Sequence, residues 1–136
     1  MTKFKRVMGF GTFDALHPGH LFYLNELKKL GDELVVVIAR DINVANMKGK
    51  APYHNENKRR QAIIDTEIAN LVVLGDERDF LKVIREYSPH ILGFGYDQRV
   101  NLEDLKAEFP ELELVRLKAH KPHTYKSSLI KRAALS

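Results

Sequence analysis

Two histidines near the N-terminus stand three positions apart, in the segment Gly-Thr-Phe-Asp-Ala-Leu-His-Pro-Gly-His at residues 11–20. Proline favours the first turn of a helix and glycine lets the backbone approach a ligand closely, so the segment predicts a strand-to-helix turn. Imidazole rings at such a turn can donate hydrogen bonds to phosphate oxygens as charge develops in a transition state. We therefore predict phosphate chemistry here, with His17 and His20 as catalytic residues.

The same histidines could instead bind a metal or be ordinary polar turn residues. Pro18 and Gly19 keep one helical face from presenting both rings, and the absence of cysteine from the sequence leaves no thiolate to complete a zinc site. Free amide groups and the positive end of the helix dipole favour phosphate oxygens at this point. We therefore expect the pair to bind phosphate.

The elements that must position this turn follow an alternating pattern of apolar, β-branched runs and amphipathic segments, which is typical of βα units around a parallel sheet. Strands are predicted at residues 6–11, 33–39, 71–74, 91–94 and 114–117, and helices at 20–30, 56–65, 80–87, 102–109 and 128–135. The predicted fold class is α/β: a Rossmann-like three-layer sandwich, with a five-stranded parallel sheet and helices on both faces. Such sheets bind ligands beyond the carboxyl ends of their strands, where the histidine turn lies.

Glycine and proline mark two further boundaries. Gly31 follows the first helical segment and is expected to cap it. The polar stretch 40–55 has no periodicity and contains Gly49 and Pro52, which indicates an active-site loop more than a linker.

Length and composition are those of a single globular domain, residues 1–136, with 44% apolar and 29% charged residues. With no cysteine and no apolar run long enough for a membrane span, we expect a cytoplasmic protein without a membrane partner. The net charge is +4, and Lys and Arg gather in 48–60 and 116–132, where an anion could bind. No nucleic-acid motif accompanies them, so we expect a small polyphosphate and no nucleic acid.

The histidine turn also has a specific match. Its spacing, Gly-x-Phe-Asp-x-x-His-x-Gly-His after a first strand, resembles the signature of the cytidylyltransferase-like nucleotidylyltransferases. The resemblance implies transfer of a nucleoside monophosphate from a nucleoside triphosphate to a small phosphorylated acceptor, with release of pyrophosphate. It further implies that most residues of the turn bind the nucleotide, namely Gly11, Thr12, Phe13, Asp14, His17, Gly19 and His20.

A basic segment matches the loop that approaches the phosphates in this family. Lys-Gly-Lys-Ala-Pro at 48–52 is followed by Glu56 and Arg59, although such a run alone is more often a solvated face. Lysine carries a compact ammonium charge on a flexible side chain, and arginine carries a rigid, planar guanidinium group. Both groups suit a triphosphate. The resemblance therefore implies Lys50 as a catalytic residue and Arg59 as a nucleotide-binding residue, with Lys48 a weaker candidate.

The segment Gly-Phe-Gly-Tyr-Asp-Gln at 93–98 resembles the part of the family that meets the sugar and base. Glycine lets the backbone offer hydrogen bonds to a base edge, and a carboxylate can accept from ribose hydroxyls. Gly95, Tyr96 and Asp97 are therefore predicted to bind the nucleotide.

Near the end of the chain, Tyr-Lys-Ser-Ser-Leu-Ile-Lys-Arg at 125–132 resembles the opening of the last helix in these enzymes. The resemblance implies that Ser127 and Ser128 hold the β- and γ-phosphates, although serine is also a common helix cap. Lys126 stands where the family usually has arginine.

The identity of the acceptor is the least defined part of the resemblance. Segments 31–37, 74–77, 95–98 and 115–118 are most similar to archaeal FAD synthases, which use ATP and FMN. The alternatives are a glycerol-3-phosphate cytidylyltransferase, which uses CTP, and a non-catalytic nucleotide-binding domain. The reaction class implies Mg²⁺ on the triphosphate, and the family resemblance implies a homodimer.

Overall fold

Five parallel strands form one sheet in the computed structural model, which describes residues 3–118. They are β1 (Arg6–Gly11), β2 (Glu33–Ile38), β3 (Leu71–Leu74), β4 (Ile91–Phe94) and β5 (Glu113–Arg116). The strand order is β3-β2-β1-β4-β5, and every neighbouring pair is parallel. The sheet confirms the five predicted strands, with the ends of β2 and β5 shifted by one residue.

The described part of the chain contains five helices: α1 (Pro18–Lys28), α2 (Asp41–Lys48), α3 (Glu56–Asp65), α4 (Lys82–Tyr87) and α5 (Leu102–Glu108). All but α2 match a predicted helix, with ends displaced by no more than two residues. The helix predicted at 128–135 lies outside the described residues. Between residues 3 and 118, no helix has the length and apolar character needed to cross a membrane.

Apolar side chains pack on both faces of the sheet. Helices α1 and α3 cover one face with Leu24, Leu27 and Ile63, and helices α4 and α5 cover the other with Val83, Ile84 and Leu105. The buried residues of β2 alternate between the two clusters, as the two-residue period of a strand requires. The protein is therefore the predicted three-layer sandwich.

Helix α2 corrects the prediction of a loop over 40–55. Asp41–Lys48 is helical, and Gly49 ends the helix with a φ of +79°, the left-handed conformation common after helices. Only Val44 of this helix is buried, so it has no apolar stripe from which periodicity could be recognised. Its end signals, Asp41 in the first turn and Lys48 before Gly49, were the available evidence for a helix.

Gly31 does not cap α1 as predicted. The cap residue is Lys29, in an ordinary right-handed conformation with a φ of −72°. A Cβ on Gly31 would lie 2.7 Å from the carbonyl oxygen of Lys5, so glycine is needed there because the chain passes close to the start of β1.

The order of the strands places a crevice between β1 and β4. From β1 the chain proceeds to β2 and β3 on one side, whereas β4 and β5 lie on the other. The segments that follow β1 and β4 therefore diverge at the carboxyl edge of the sheet, which is where ligands of such folds bind. Residues 11–20 and 95–98 follow these two strands, so the fold brings both segments to one crevice.

Candidate active site

A cavity of about 680 Å³ opens at this edge of the sheet. The turn after β1 lines its centre with Gly11, Thr12, Phe13, Gly19 and His20. One flank, called the β4 side below, is lined by Gly95, Tyr96, Asp97, Gln98 and Arg99. The other flank, called the α2 side, is lined by Asn43, Met47, Lys48, Arg78 and Phe80, with Phe10 beneath them at the end of β1. The phosphate turn thus lies between two compartments.

The phosphate turn bends back on itself at Phe13. This residue has a φ of +52°, in the left-handed region that costs a non-glycine residue about 1–3 kcal/mol. Its ring is buried against Gly11, where a Cβ would lie 2.5 Å from the ring. Glycine at position 11 is therefore required by the close approach of this ring, and burial of the ring offsets the backbone strain.

His17 caps helix α1 and uses amide groups that were expected to be free for phosphate. Its Nδ1 accepts the N–H of Gly19 at 3.1 Å, and its carbonyl oxygen accepts the N–H groups of His20 and Leu21. Pro18 has no N–H to offer. The first-turn amides thus bond within the protein, which corrects that part of the prediction. A neutral His17 ring that accepts at Nδ1 carries its proton on Nε2. His20 lines the cavity, whereas His17 is not among the lining residues.

The structure brings the two predicted catalytic histidines together. The rings of His17 and His20 stack with their centroids 3.7 Å apart, and the ring of Phe13 meets that of His20 edge-on at 5.3 Å. His20 is buried between these neighbours. Packing of this kind restricts ring rotation, so the histidines are oriented before any ligand binds.

Asp14, a predicted nucleotide-binding residue, bonds to the protein itself. Its carboxylate accepts the N–H groups of Tyr53 and His54 at 2.7 and 2.8 Å. Partial burial alone would raise the pKa of Asp14, but the two N–H donors and the nearby charge of Arg59 hold that pKa below its usual value. The ionised carboxylate therefore connects the phosphate turn to the segment that carries Lys50.

Arg59 is fully buried and is not among the residues that line the cavity. Its guanidinium donates to the carbonyl oxygens of His54 and Thr12, both at 2.9 Å, and to the carboxylate of Asp41 at 2.7 Å. These contacts favour a supporting role behind the phosphate turn, and direct binding of nucleotide by Arg59 stays a prediction.

The two candidate lysines are placed differently. Lys48, at the end of α2, lines the cavity, whereas the exposed Lys50 does not. The sequence analysis favoured Lys50 because of the family motif, and the ranking of the two lysines stays a prediction. Sequence reasoning missed Asn43, Arg78 and Arg99 in the cavity wall, although Arg78 and Arg99 each follow closely on the carboxyl end of a strand.

Comparison with known proteins assigns most of the chain to a single family. Residues 8–133 match the family model described as cytidylyltransferase-like. The chain belongs to the cytidylyltransferase-like family. Family membership and the relatives described next make it a nucleotidyltransferase.

Two FAD synthases are similar to this cytidylyltransferase-like chain, those of Thermoplasma acidophilum and Thermoplasma volcanium. They are 39% and 40% identical to it over 131 residues, which cover 93% of this chain and 92% of each relative. The solved structure of the lipopolysaccharide core biosynthesis protein from Thermoplasma volcanium GSS1 is 40% identical, with a TM-score of 0.80. That likeness covers 88% of this chain and 100% of the other.

On the β4 side of this cytidylyltransferase-like protein, the predicted residues Gly95, Tyr96 and Asp97 line the cavity together. The N–H of Gln98 donates to the carbonyl oxygen of Gly95 at 3.1 Å, which closes a tight turn around them. Burial raises the pKa of the Tyr96 phenol, so this group stays protonated at neutral pH.

Ser127 and Ser128 lie outside the described residues, and their predicted contacts stay predictions.

Proposed function

We propose that this nucleotidyltransferase is an FAD synthase, which transfers AMP from ATP to the phosphate of FMN and releases pyrophosphate. The observation that carries the proposal is an apolar wall on the α2 side of the cavity, beside the phosphate turn. The FAD synthases of two Thermoplasma species, similar over nearly the whole chain, support the same activity.

The apolar wall is suited to a flat aromatic ligand. The rings of Phe10 and Phe80 lie 4.8 Å apart, inclined by 36°. Phe80 is 49% exposed and Met47 is 71% exposed, and both line the cavity. Large apolar side chains exposed within a concave site favour a ligand with an apolar face. The isoalloxazine ring of FMN has such a face, and Asn43 and Arg78 nearby supply polar contacts for its edge.

Glycerol 3-phosphate, the acceptor of the alternative CTP-dependent reaction, fits this wall less well. It is small and polar, so it would leave the exposed faces of Phe80 and Met47 in contact with water. The other alternative is a domain that binds nucleotides without catalysis. The presence of both histidines of the family signature, stacked at the phosphate turn, argues against that alternative.

In the proposed reaction, a phosphate oxygen of FMN forms a bond to the α-phosphorus of ATP. The bond from that phosphorus to the oxygen shared with the β-phosphate breaks, and pyrophosphate leaves with the electron pair. His17 and His20 donate hydrogen bonds to the α-phosphate oxygens, with the positive end of α1 directed toward the same charge. No side chain forms a covalent intermediate, since positioning and electrostatics carry phosphoryl-type transfer.

Mg²⁺ enters the proposal as part of the nucleotide substrate. Among residues 3–118, no group of three or more His, Asp or Glu side chains is arranged to hold a metal ion. These residues therefore do not fit a protein cage for a resident cation, whereas Mg²⁺ commonly binds through substrate phosphates. No step above depends on a cation held by the protein.

The test is a matrix of substrate pairs. The full chain, with Mg²⁺, is incubated with ATP or CTP and with FMN or glycerol 3-phosphate, and pyrophosphate release and the organic product are measured. We expect pyrophosphate and FAD from ATP with FMN, and no FAD from the variant in which His17 and His20 are both alanine. Turnover only with CTP and glycerol 3-phosphate would establish the alternative reaction. Nucleotide binding without turnover of any pair would contradict the proposed catalysis.

Two further expectations accompany the proposal. The family resemblance implies a homodimer, which sedimentation velocity of the full chain would measure. A cytoplasmic location also stays a prediction, and fractionation of the source cells would test it.

A further inference from the structure

Strands β1 and β4 separate before they reach the cavity. Their paired residues end at Gly9 and Gly93. Where the ladder would continue, the N–H of Phe10 donates to the hydroxyl of Tyr23 at 3.2 Å, and that hydroxyl donates to the carbonyl oxygen of Gly93 at 2.8 Å. One side-chain oxygen from α1 is thus inserted between the two central strands.

Two glycines make this insertion possible. Gly9 and Gly93 lie opposite each other in the sheet, directly beneath α1. A Cβ on Gly9 would lie 2.3 Å from a methyl group of Leu27 and 3.0 Å from the hydroxyl of Tyr23. A Cβ on Gly93 would lie 2.2 Å from the other methyl group of Leu27. A side chain at either position would displace α1 and withdraw the hydroxyl from the strands.

Gln98 makes a second bridge between the separated strands. Its Nε2 donates to the carbonyl oxygen of Phe10 at 2.8 Å, and its Oε1 accepts the N–H of Gly95 at 2.8 Å. A primary amide has both a donor and an acceptor, so it can bond one group from each strand end. Tyr23 and Gln98 together satisfy four backbone groups that the separation would otherwise leave without strand partners.

The second bridge also determines where the turn at residues 95–98 lies. Besides its bond to Gln98, Gly95 accepts a hydrogen bond from the guanidinium of Arg116 at 2.9 Å. The turn presents Tyr96 and Asp97 to the β4 side of the cavity. Phe10 directly precedes the phosphate turn, so the bonds of Gln98 relate the position of the 95–98 turn to that of the phosphate turn.

We propose that Tyr23 and Gln98 are positioning residues for the nucleoside part of the triphosphate. They hold β1 and β4 apart by the width of two side-chain bridges, and so set the distance between the phosphate turn and residues 95–97. Both bridges bond the backbone of Phe10 and lie between β1 and β4, so their loss should displace residues 95–97 from the phosphate turn more than it displaces the apolar wall of the α2 side. This inference rests on the proposed function and on the prediction that Gly95, Tyr96 and Asp97 bind the nucleotide.

A purely structural role for Tyr23 would require only its ring. The ring stacks near that of Phe13 at 6.3 Å, and phenylalanine would fill the same space. The hydroxyl, however, is placed in the sheet, where burial raises the pKa of the Tyr23 phenol well above its usual range. A buried hydroxyl needs partners, and this one bonds a backbone group of each strand at the crevice, with Oε1 of Gln98 a further acceptor at 3.5 Å.

The test uses Tyr23→Phe, which removes only the hydroxyl, and Gln98→Glu, which keeps an acceptor for Gly95 but places an acceptor against the carbonyl oxygen of Phe10. Matched controls are Tyr87→Phe on α4 and Gln61→Glu on α3, both outside the cavity wall. For each protein we would measure the Kd of the α,β-methylene analogue of whichever nucleotide the wild type uses. The KM of each substrate, kcat and the melting temperature complete the set.

We expect the analogue Kd and the nucleotide KM to rise at least fivefold in Tyr23→Phe and more in Gln98→Glu, with the acceptor KM within twofold of wild type. The controls should bind as the wild type does. An unchanged Kd in both variants would overturn the inference, as would an equal rise in the KM of both substrates. If the wild type itself binds neither ATP nor CTP analogue, the proposed function fails, and this result is distinct from an effect of the two substitutions.

Discussion

Arg59 donates a hydrogen bond to the carbonyl oxygen of Thr12 over 2.9 Å, so a fully buried cation on α3 supports the phosphate turn directly. The same guanidinium bonds the carbonyl oxygen of His54, whose N–H bonds the carboxylate of Asp14. The phosphate turn and residues 53–54 are therefore joined through two side chains. A ligand bound at the turn meets a site whose backbone is already fixed.

Replacement of Arg59 by lysine should lower the free energy of unfolding by about 2–4 kcal/mol. An ammonium group cannot reproduce the three hydrogen bonds that the buried, planar guanidinium makes. Urea unfolding at neutral pH measures this change, with Lys58→Met on the exposed face of α3 as the control. If Arg59 instead binds the triphosphate directly, the nucleotide KM would rise while the stability stayed that of the wild type.

His17 combines two roles that one pair of substitutions can separate. His17→Ala removes both the helix cap and the imidazole, so we expect about 1 kcal/mol less stability and a large loss of kcat. Asparagine is a good helix cap, so His17→Asn should recover the stability while kcat stays reduced by about 10²-fold or more. Recovery of kcat in His17→Asn would show that the ring takes no part in the reaction.

Asp14 should make the stability of the fold depend on pH at the acid end. Its pKa is lower in the folded protein than the unfolded value of 3.8, so the ionised form stabilises the fold above that pH. The stabilisation is lost as the pH falls through the folded pKa. Wild type should therefore be more stable than Asp14→Asn at pH 7, and the difference should shrink below about pH 4.

Urea midpoints between pH 7 and pH 3 measure this effect of Asp14. The control is Asp65→Asn, which changes an exposed carboxylate at the end of α3. A stability difference between wild type and Asp14→Asn that is the same at both ends of the pH range would remove ionisation from the explanation.

Lys48 and Lys50 offer a direct comparison within one segment. Lys48 lines the cavity, so Lys48→Met should raise the KM of at least one anionic substrate about tenfold, the cost of one charge-assisted contact. We expect a smaller effect from Lys50→Met, because Lys50 is exposed and outside the cavity wall. Steady-state kinetics of both variants decide the order, and a larger effect at Lys50 would confirm the ranking made from sequence.

Phe80 tests the apolar wall of the α2 side. Phe80→Ala should raise the KM of FMN about three- to tenfold, through loss of stacking and apolar contact, and leave the nucleotide KM unchanged. The matched control is Phe4→Ala, which is similarly exposed but precedes β1 at the opposite edge of the sheet. An unchanged acceptor KM would place the flavin ring elsewhere.

Local patterns were enough to predict the sheet and the histidine turn. Each strand contains at least two consecutive apolar residues, and the spacing of residues 11–20 is a property of contiguous sequence, so neither needs knowledge of distant neighbours. Helix α2 was missed for the converse reason. It buries only Val44 and lies at the cavity, where a helix has little apolar surface to place in the core.

The sequence by itself determined the βα order, the phosphate turn with His17 and His20, and the reaction class. Only the tertiary structure decided that Arg59 and Asp14 bond to the protein around that turn, and that Lys48 lines the cavity. These roles depend on which groups become neighbours after folding, between residues as far apart as Thr12 and Arg59. The separation of β1 and β4 by Tyr23 and Gln98 was likewise decided by the tertiary structure. It requires two glycines in different strands to meet beneath one helix.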